Sequence, residues 1–372
     1  MNATTVDSSR IKAFDLARGL AVLLMMLIHT LDFYGSSTVH ETMIGASFKA
    51  FVGWPAASTF VFIMGIFVAY TPNATLAQGL KRAAMLFALG YVLNLFRGTI
   101  PMWLSIQMGL VTYEDLGPHT PLTEFLIVDV LQFAGIAFAV CSLLQHYLPN
   151  PKYWLATALL VNFVSPLLWD ISTGNLYLDE LLQIFWGYEA QGAIFPQFPW
   201  LTYPLVGMAF GGWLKTSSSL PDFFRRSFWI ATTGMVIGLG IIFTDVEFHL
   251  ADSLRGGPGL IICISCFTIL VLCACQFIVN SIPHNPIFAI LYTWSKYVTV
   301  VYIIQWLLVG WGLMIFGLQT MNSSQVLMAM LGVVVLSDLG MRVWVKATTS
   351  NNIQRHPTTS NNIKIADAQA SA

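Results

Sequence analysis

Residues 10–40 of the chain read RIKAFDLARGLAVLLMMLIHTLDFYGSSTVH. The long apolar run predicts a membrane helix, and this helix carries Asp15, Arg18 and His29. Arg18 and His29 fall on one helical stripe roughly 16 Å apart, and Asp15 lies one turn before Arg18. Ionisable groups in lipid usually face a bundle interior or a water-filled cavity, so this stripe is a candidate functional site. The alternative is that Arg18 anchors the helix at the headgroups and His29 is a hydrogen-bonded core residue.

The composition indicates an integral membrane protein. Of 372 residues, 56% are hydrophobic and 9% are charged, whereas a soluble domain carries about 25% charged residues. The net charge of −1 argues against nucleic acid as a partner. All five cysteines fall in apolar runs, and the C-x-x-C formed by Cys263 and Cys266 has no second ligand pair. We therefore expect no metal site.

Apolar segments close to the ~20 residues that a bilayer requires recur along the chain. Clusters of Pro, Gly and polar residues separate them. The sequence therefore predicts an all-α integral membrane protein, a bundle of about ten transmembrane helices forming one domain over residues 1–346. Residues 347–372 are polar and contain TTSNNI twice, so we predict a disordered cytoplasmic tail. The predicted spans are about 13–34, 55–72, 82–98, 125–147, 153–172, 199–215, 227–244, 259–281, 293–316 and 325–345.

The basic residues predict the orientation, because cytoplasmic loops carry an excess of Lys and Arg. With ten spans and a cytoplasmic N-terminus, the opposite face keeps only Lys49, Arg97 and Arg255. We therefore expect both termini in the cytoplasm, with the bacterial inner membrane as the location. The residues on the cytoplasmic side are then Arg10, Lys12, Lys81, Arg82, Lys152, Lys215, Arg225, Arg226, Arg342, Lys346, Arg355 and Lys364.

Three further residues are candidates for binding a substrate. Trp186 and Glu189 lie in an acidic and aromatic outer segment, a composition suited to stacking on sugar rings and hydrogen-bonding their hydroxyls. Asp129 lies in the fourth apolar span, where it either lines a cavity or anchors a helix end. For the outer segment the alternative is an interfacial aromatic belt beside ordinary loop acids.

Several motifs, taken in order, resemble the membrane acyltransferases. The first helix of that superfamily carries an Arg, ten residues and then a His, usually with an Asp three residues before the Arg. Here these are Arg18, His29 and Asp15. Four later segments are similar to the branch that contains heparan-α-glucosaminide N-acetyltransferase. They are FVFIMGIFVAY (60–70), IVDVLQFAGIAFAV (127–140), PWLTYPLVGMAFGGWL (199–214) and TWSKYVTVVYIIQW (293–306).

The resemblance implies transfer of an acetyl group from cytoplasmic acetyl-CoA to an amino or hydroxyl group of a sugar on the far side of the membrane. Arg18 would bind the CoA phosphates by charge-assisted hydrogen bonds, and Asp15 would orient its guanidinium. Imidazole suits the base at neutral pH and can also carry an acyl group. In the broad acyltransferase-3 group the working histidine matches His29. In the heparan-acetylating branch that position tends to be Asn and the working histidine lies eleven residues later, at His40 here.

Because this chain has both histidines, the resemblance alone leaves the choice open. We expect His40 to be the base or transient acyl carrier and His29 to position the thioester. The expected partners are acetyl-CoA, a sugar acceptor and membrane lipids, with a homodimer as an open option. A permease for a small polar solute is the competing function, since ten helices with buried charges also describe a transporter. Against it, the sequence has no convincing pair of internal halves with matching broken helices. A scaffold without catalysis is the third alternative.

Overall fold

The computed structural model describes residues 11–48, 54–71, 75–117, 119–169, 171–186, 194–250 and 255–355. Within these ranges the chain forms helices joined by short turns, without a β-strand. A π-helical turn, Leu95–Thr99, lies between the helix that ends at Asn94 and the helix that begins at Ile100, and a 3₁₀ turn, Ser165–Leu168, follows the helix that ends at Val164. The helices are α1 (Lys12–Tyr34), α2 (Ser37–Glu41), α3 (Met43–Phe48), α4 (Trp54–Tyr70), α5 (Leu76–Asn94), α6 (Ile100–Gln107), α7 (Tyr113–Leu116), α8 (Pro121–Leu126), α9 (Val130–Tyr147), α10 (Pro151–Val164), α11 (Leu176–Leu182), α12 (Gln197–Trp200), α13 (Thr202–Thr216), α14 (Leu220–Ile242), α15 (Val246–Leu250), α16 (Pro258–Ser281), α17 (Pro286–Lys296), α18 (Val298–Phe316) and α19 (Ser323–Arg355).

Six helical stretches in the described ranges are long and apolar enough to cross a membrane, and Pro55–Tyr70 is a shorter apolar helix. The prediction of an all-α integral membrane protein is confirmed. The number of crossings, ten by prediction, stays a prediction, because α10 and α13 have only 14 and 15 residues. The six stretches are Lys12–Tyr34, Leu76–Gln107, Val130–Tyr147, Pro258–Ser281, Val298–Phe316 and Ser323–Thr349.

Helix α1 lies at the centre of the bundle. It packs against α4, α16, α17, α18 and α19, and its buried residues are distributed around the whole helix. The five surrounding helices place these residues in the protein interior. The central position also lets Asp15, Arg18 and His29 meet partners from other helices.

Two predicted spans differ in detail from the helices observed. The span predicted at 293–316 is divided at Tyr297, whose backbone lies outside the helical region, so that α17 and α18 are separate helices. The span predicted at 82–98 continues through the π-helical turn to Gln107. The division at Tyr297 places Ser295 and Gln305 on different helices. The π-helical turn contains Arg97.

The last described helix, α19, extends to Arg355. The predicted boundary between the domain and the tail, at 346–347, falls within this helix. Residues 356–372 lie outside the described ranges. The single domain and the disordered tail therefore stay predictions.

Candidate active site

A cavity of about 1050 Å³ lies between the C-terminal half of α1, the short helix α2, the α6–α9 region and α18. Three of the residues selected from the sequence line it: His29, His40 and Asp129. The structure therefore brings both candidate histidines to one cavity. The other ionisable or large aromatic side chains of its wall are Asp32, Phe33, Arg97, His119, Glu124, Phe195, Trp200, Tyr302 and Trp306.

His29 is fixed by two neighbours from α18. Its imidazole stacks on the indole of Trp306, with ring centroids 4.1 Å apart and an interplanar angle of 28°. Its Nδ1 lies 3.2 Å from the side-chain amide of Gln305. With Nδ1 occupied, Nε2 is the ring nitrogen of His29 that remains for a ligand in the cavity.

His40 lies in the short helix α2, which follows α1 after Gly35 and Ser36. Its side chain is half-buried, and both ring nitrogens are buried with no hydrogen-bond partner among the described residues. The ring lies next to Gly35, where a Cβ would be in ordinary van der Waals contact with Nε2 of His40 at 3.5 Å. A buried polar atom without a partner costs about 1–3 kcal/mol, so these nitrogens are suited to receiving a ligand.

A buried ion pair forms another part of the cavity wall. Nη1 of Arg97 lies 2.6 Å from Oδ2 of Asp129, and both side chains are almost fully buried. The hydroxyl of Tyr302 donates to the same carboxylate oxygen at 3.2 Å. The other oxygen, Oδ1, accepts from the backbone N–H of Val130 at 2.6 Å and so caps α9. Asp129 therefore does both things considered for it, since it lines a cavity and it anchors a helix end. Its role in binding a substrate stays a prediction.

The segment between α8 and α9 is held in a non-helical conformation by side-chain hydrogen bonds to its backbone. The amide nitrogen of Asn94 donates to the carbonyl oxygens of Phe125 and Ile127, at 3.0 and 2.7 Å. The side chain of Gln132 donates to Ile127 and accepts from the backbone of Asp129. These bonds satisfy backbone groups that a continuous helix would otherwise pair, so Asp129 can face the cavity at the start of α9.

Sequence reasoning did not select Arg97 or Asp32. Arg97 was counted only as a basic residue of the far side, although it ends an apolar span and is 8% exposed. The argument applied to Arg18, that a charge in an apolar helix is functional by default, would have selected it. Asp32 lies one turn after His29 on the quoted first helix and would have followed from the same spacing.

Arg18 and Asp15 form a second polar cluster, separate from the cavity. The hydroxyl of Ser295, on α17, accepts from Nε of Arg18 at 2.8 Å and donates to Asp15 at 2.7 Å. Arg18 also pairs with Asp15 at 3.4 Å and lies over the ring of Phe67, 4.9 Å from its centroid. On α1 the cavity lining reaches back only to Met25. The structure therefore keeps Arg18 and Asp15 together but does not place them at the wall shared by the two histidines.

The acidic and tryptophan side chains of the outer segments differ in whether they line the cavity. Trp186 lies on the turn after α11, packs against Phe185, and is not among the cavity-lining residues. Glu189 lies outside the described residues. Glu124 does line the cavity and pairs with His119 at 3.2 Å. The assignment of Trp186 and Glu189 to substrate binding stays a prediction.

Two other carboxylates of the outer segments, those of Asp115 in α7 and Asp179 in α11, form hydrogen bonds, within the described part of the chain, only with residues nearby in the sequence. The hydroxyl and the backbone N–H of Thr112 both donate to the carboxylate of Asp115. These bonds, the hydroxyl bond more than the backbone bond, lower the pKa of Asp115, and they form part of the cap of α7. Hydrogen bonds from the backbone of Thr173 and from the hydroxyls of Ser172 and Thr173 lower the pKa of Asp179. Both groups stay charged for reasons unrelated to the cavity. As for metals, the described residues contain no group of three or more His, Cys, Asp or Glu side chains that could hold an ion.

A cavity in a helix bundle of a membrane protein, with two histidines on its wall, agrees with a comparison to known protein families. The family model described as "Heparan-alpha-glucosaminide N-acetyltransferase, catalytic" matches residues 10–238. The chain belongs to this family. No curated protein matches the chain.

Membership in the heparan-alpha-glucosaminide N-acetyltransferase catalytic family makes the chain a membrane acetyltransferase, with an acyl donor and an acceptor as its substrates. The matched region contains α1, α2 and the start of α9, and with them His29, His40 and Asp129. It ends before α16. The partners that hold the α1 stripe, Ser295 and Gln305, therefore come from helices beyond the matched region.

Proposed function

We propose that this chain transfers an acetyl group from cytoplasmic acetyl-CoA to an amino or hydroxyl group of a sugar on the opposite side of the membrane. The observation that carries the proposal is the common cavity of His29 and His40 in a chain of an acetyltransferase family. A base has to lie within hydrogen-bond reach of the proton that it removes. The cavity is at the upper end of the ~300–1,000 Å³ usual for small-molecule sites, which supports a site for two reactants.

His40 is the proposed base. Its nitrogens have no hydrogen-bond partner among the described residues and can therefore meet an acceptor. As the acceptor nitrogen or oxygen attacks the thioester carbonyl, its proton passes to the imidazole. The tetrahedral intermediate then collapses, the carbon–sulfur bond breaks, and the imidazolium returns the proton to the CoA sulfur. In the two-step variant an imidazole nitrogen of His40 attacks the thioester carbonyl, the carbon–sulfur bond breaks, and CoA leaves as the thiol with the imidazole proton. The acceptor then attacks the acetyl-imidazole, the bond between the acetyl carbon and the imidazole breaks, and the acceptor proton passes to the released imidazole.

Arg18 is the proposed contact for the CoA phosphates, and Asp15 with Ser295 holds its guanidinium in place. The seven positions from Arg18 to Met25, where the cavity lining begins on α1, correspond to about 10 Å along the helix. An extended pantetheine arm can cover that distance. This arrangement would let a donor held at one face of the membrane react at the other, without transport of either substrate.

The acceptor is proposed to enter on the side of Trp200 and Phe195, whose rings can stack on a sugar. Asp32 and Glu124 line the same cavity and offer carboxylate oxygens to hydroxyl or amino groups. Trp186 and Glu189 stay proposals as further acceptor contacts. The bacterial inner membrane, cytoplasmic termini and a homodimer are likewise proposals.

The test is acetyl transfer by the purified chain in lipid nanodiscs. Labelled acetyl-CoA is offered with a panel of amino sugars and neutral sugars, and labelled products and free CoA are measured. We expect at least one acetylated sugar with an equal amount of free CoA. If no acceptor is acetylated and the chain instead moves a polar solute across vesicles, the permease is the better account.

A further inference from the structure

We propose that Trp306 and Arg97 are positioning residues that fix the imidazole of His29 at the cavity. The inference rests on the proposed function, because it concerns how one histidine of that site is oriented. It follows from a continuous series of contacts that runs from the start of α9, through the π-helical turn after α5, to α18 and α1.

The contacts are short at each step. Asp129 forms the 2.6 Å ion pair with Arg97. The guanidinium of Arg97 lies over the indole of Trp306, 4.0 Å from the ring centroid. The indole in turn stacks on His29 at 4.1 Å. A guanidinium over an indole is the most favourable cation–π arrangement and gains strength where water is excluded. The ion pair therefore fixes the indole, and the indole fixes the imidazole.

The oxygens of Asp129 are already engaged. One accepts a hydrogen bond from the backbone N–H of Val130, and the other accepts one from Tyr302 and lies 2.6 Å from Nη1 of Arg97. Because this ion pair joins Asp129 to the guanidinium that lies over Trp306, Asp129 acts on His29 through Arg97.

The backbone of Arg97 is fixed as well. It lies in a π-helical turn, a feature that adds one residue to a helical turn and is frequent at functional sites. On the other side, α18 approaches through Gly310, where any Cβ would meet the backbone of Arg97. The guanidinium therefore has a defined origin from which it reaches both Asp129 and Trp306.

His29 is restrained in two directions. Stacking on Trp306 fixes the plane of its ring. The contact of Nδ1 with Gln305 opposes a half-turn of the ring about the Cβ–Cγ bond, which would exchange the positions of the ring atoms. Nε2 is then presented to the cavity in one place. A reacting group misplaced by about 1 Å can reduce the rate by a factor on the order of 100, so we expect the fixed orientation of this ring to raise the rate of acetyl transfer.

The first measurement is kinetic. We expect Trp306→Ala and Arg97→Gln to lower kcat by roughly 10- to 100-fold with a much smaller change in KM, and Trp306→Phe and Arg97→Lys to recover part of the loss. Because the effect passes through His29, Trp306→Ala should add little to a His29→Ala variant. Independent, additive losses would mean a general structural role and would overturn the proposal.

The second measurement does not need activity. Carbethoxylation of histidines, read by mass spectrometry on the folded protein in nanodiscs, should become faster at His29 in Trp306→Ala and Trp306→Phe but unchanged at His40. An unchanged rate at His29 would contradict the proposal even if both variants are active. If the unmodified chain transfers no acetyl group, the proposed function fails while this result still decides the positioning.

The chain offers a matched control. Asp338 and Arg342 also form a 2.6 Å ion pair, and the indole of Trp294 donates to Asp338 at 2.8 Å. This cluster does not line the cavity. Arg342→Gln should therefore leave kcat and the labelling of His29 as they are. A loss equal to that of Arg97→Gln would point to general destabilisation.

Discussion

His29 and His40 face the same cavity from two consecutive helices, but only His29 is tied to the protein through a ring nitrogen. Gln305 occupies Nδ1 of His29, whereas His40 has no hydrogen-bond partner among the described residues. The two histidines therefore differ in how they are held: the ring of His29 is bonded through Nδ1, whereas neither ring nitrogen of His40 is bonded within the described ranges.

We therefore expect His40→Ala to abolish transfer, with a loss of about 10²–10⁴-fold, and still to bind acetyl-CoA. His29→Ala should keep measurable turnover. Initial rates and calorimetric titration of CoA on both variants check this. His284→Ala is the control, since His284 is exposed and stacks on Tyr292 away from the cavity. The opposite pattern would make His29 the base.

Arg18→Ala should weaken the binding of CoA. A lost charge-assisted hydrogen bond of about 1.5–3 kcal/mol corresponds to roughly a 10- to 150-fold higher Kd. Arg18→Lys should recover only part, because an ammonium replaces a planar fork. Ser295→Ala is the comparison, since it removes the hydroxyl that holds Arg18 but keeps the charge. An unchanged Kd with a lowered Tm in Arg18→Ala would assign the cluster to the packing of α1 on α17.

Gly310→Ala should distort the cavity wall, because Gly310 lines the cavity and approaches the backbone of Arg97. Its Cβ would lie only 2.8 Å from the carbonyl carbon of Arg97, and backbone cannot move aside as a flexible side chain can. Such overpacking costs about 1–3 kcal/mol, so both the Tm and the acetyl-transfer rate should fall. Gly332→Ala on α19 is the matched control, because no described atom outside its own helix lies within 4 Å. Equal effects of the two changes would rule out the contact with Arg97.

The predicted orientation can be tested at two connections between helices. Ser218, between α13 and α14, should lie in the cytoplasm, and Ser324, at the start of α19, should lie on the opposite side. Both side chains are exposed, so single cysteines there can react with a membrane-impermeant maleimide. The five native cysteines are replaced first. Labelling of Ser218→Cys from outside intact cells would reverse or abolish the proposed topology.

The sequence predicted the helices well because hydropathy is a local property. The stripe of Asp15, Arg18 and His29 followed from helical spacing within one segment. The break at Tyr297 did not, because a long apolar run continues through it and the change of backbone conformation there has no signal in the hydropathy.

The interior of the site was far less predictable. His29 and Gln305 are 276 positions apart, and nothing in the local pattern of either segment indicates that they meet. The role of Asp129 is similar, since the N-cap is a local feature but the ion pair with Arg97 depends on how α5 and α9 pack. The burial of the ring nitrogens of His40 without a hydrogen-bond partner among the described residues is a property of the packed structure and likewise could not be predicted from a sequence.

The distance along the chain between α1 and its polar partners has a consequence for biosynthesis. Ser295 follows Asp15 by 280 positions, and Gln305 follows His29 by 276. At about 5–20 residues per second, a ribosome needs roughly 15–55 s to make that length. During this interval α1 carries an acid, a guanidinium and an imidazole without their final partners, so these groups have to be sheltered beside the insertion machinery or another helix. The contacts between α1 and α18 at the cavity wall can therefore form only after α18 has been made, and a nascent chain stalled before α17 would lack them and be exposed to membrane quality control.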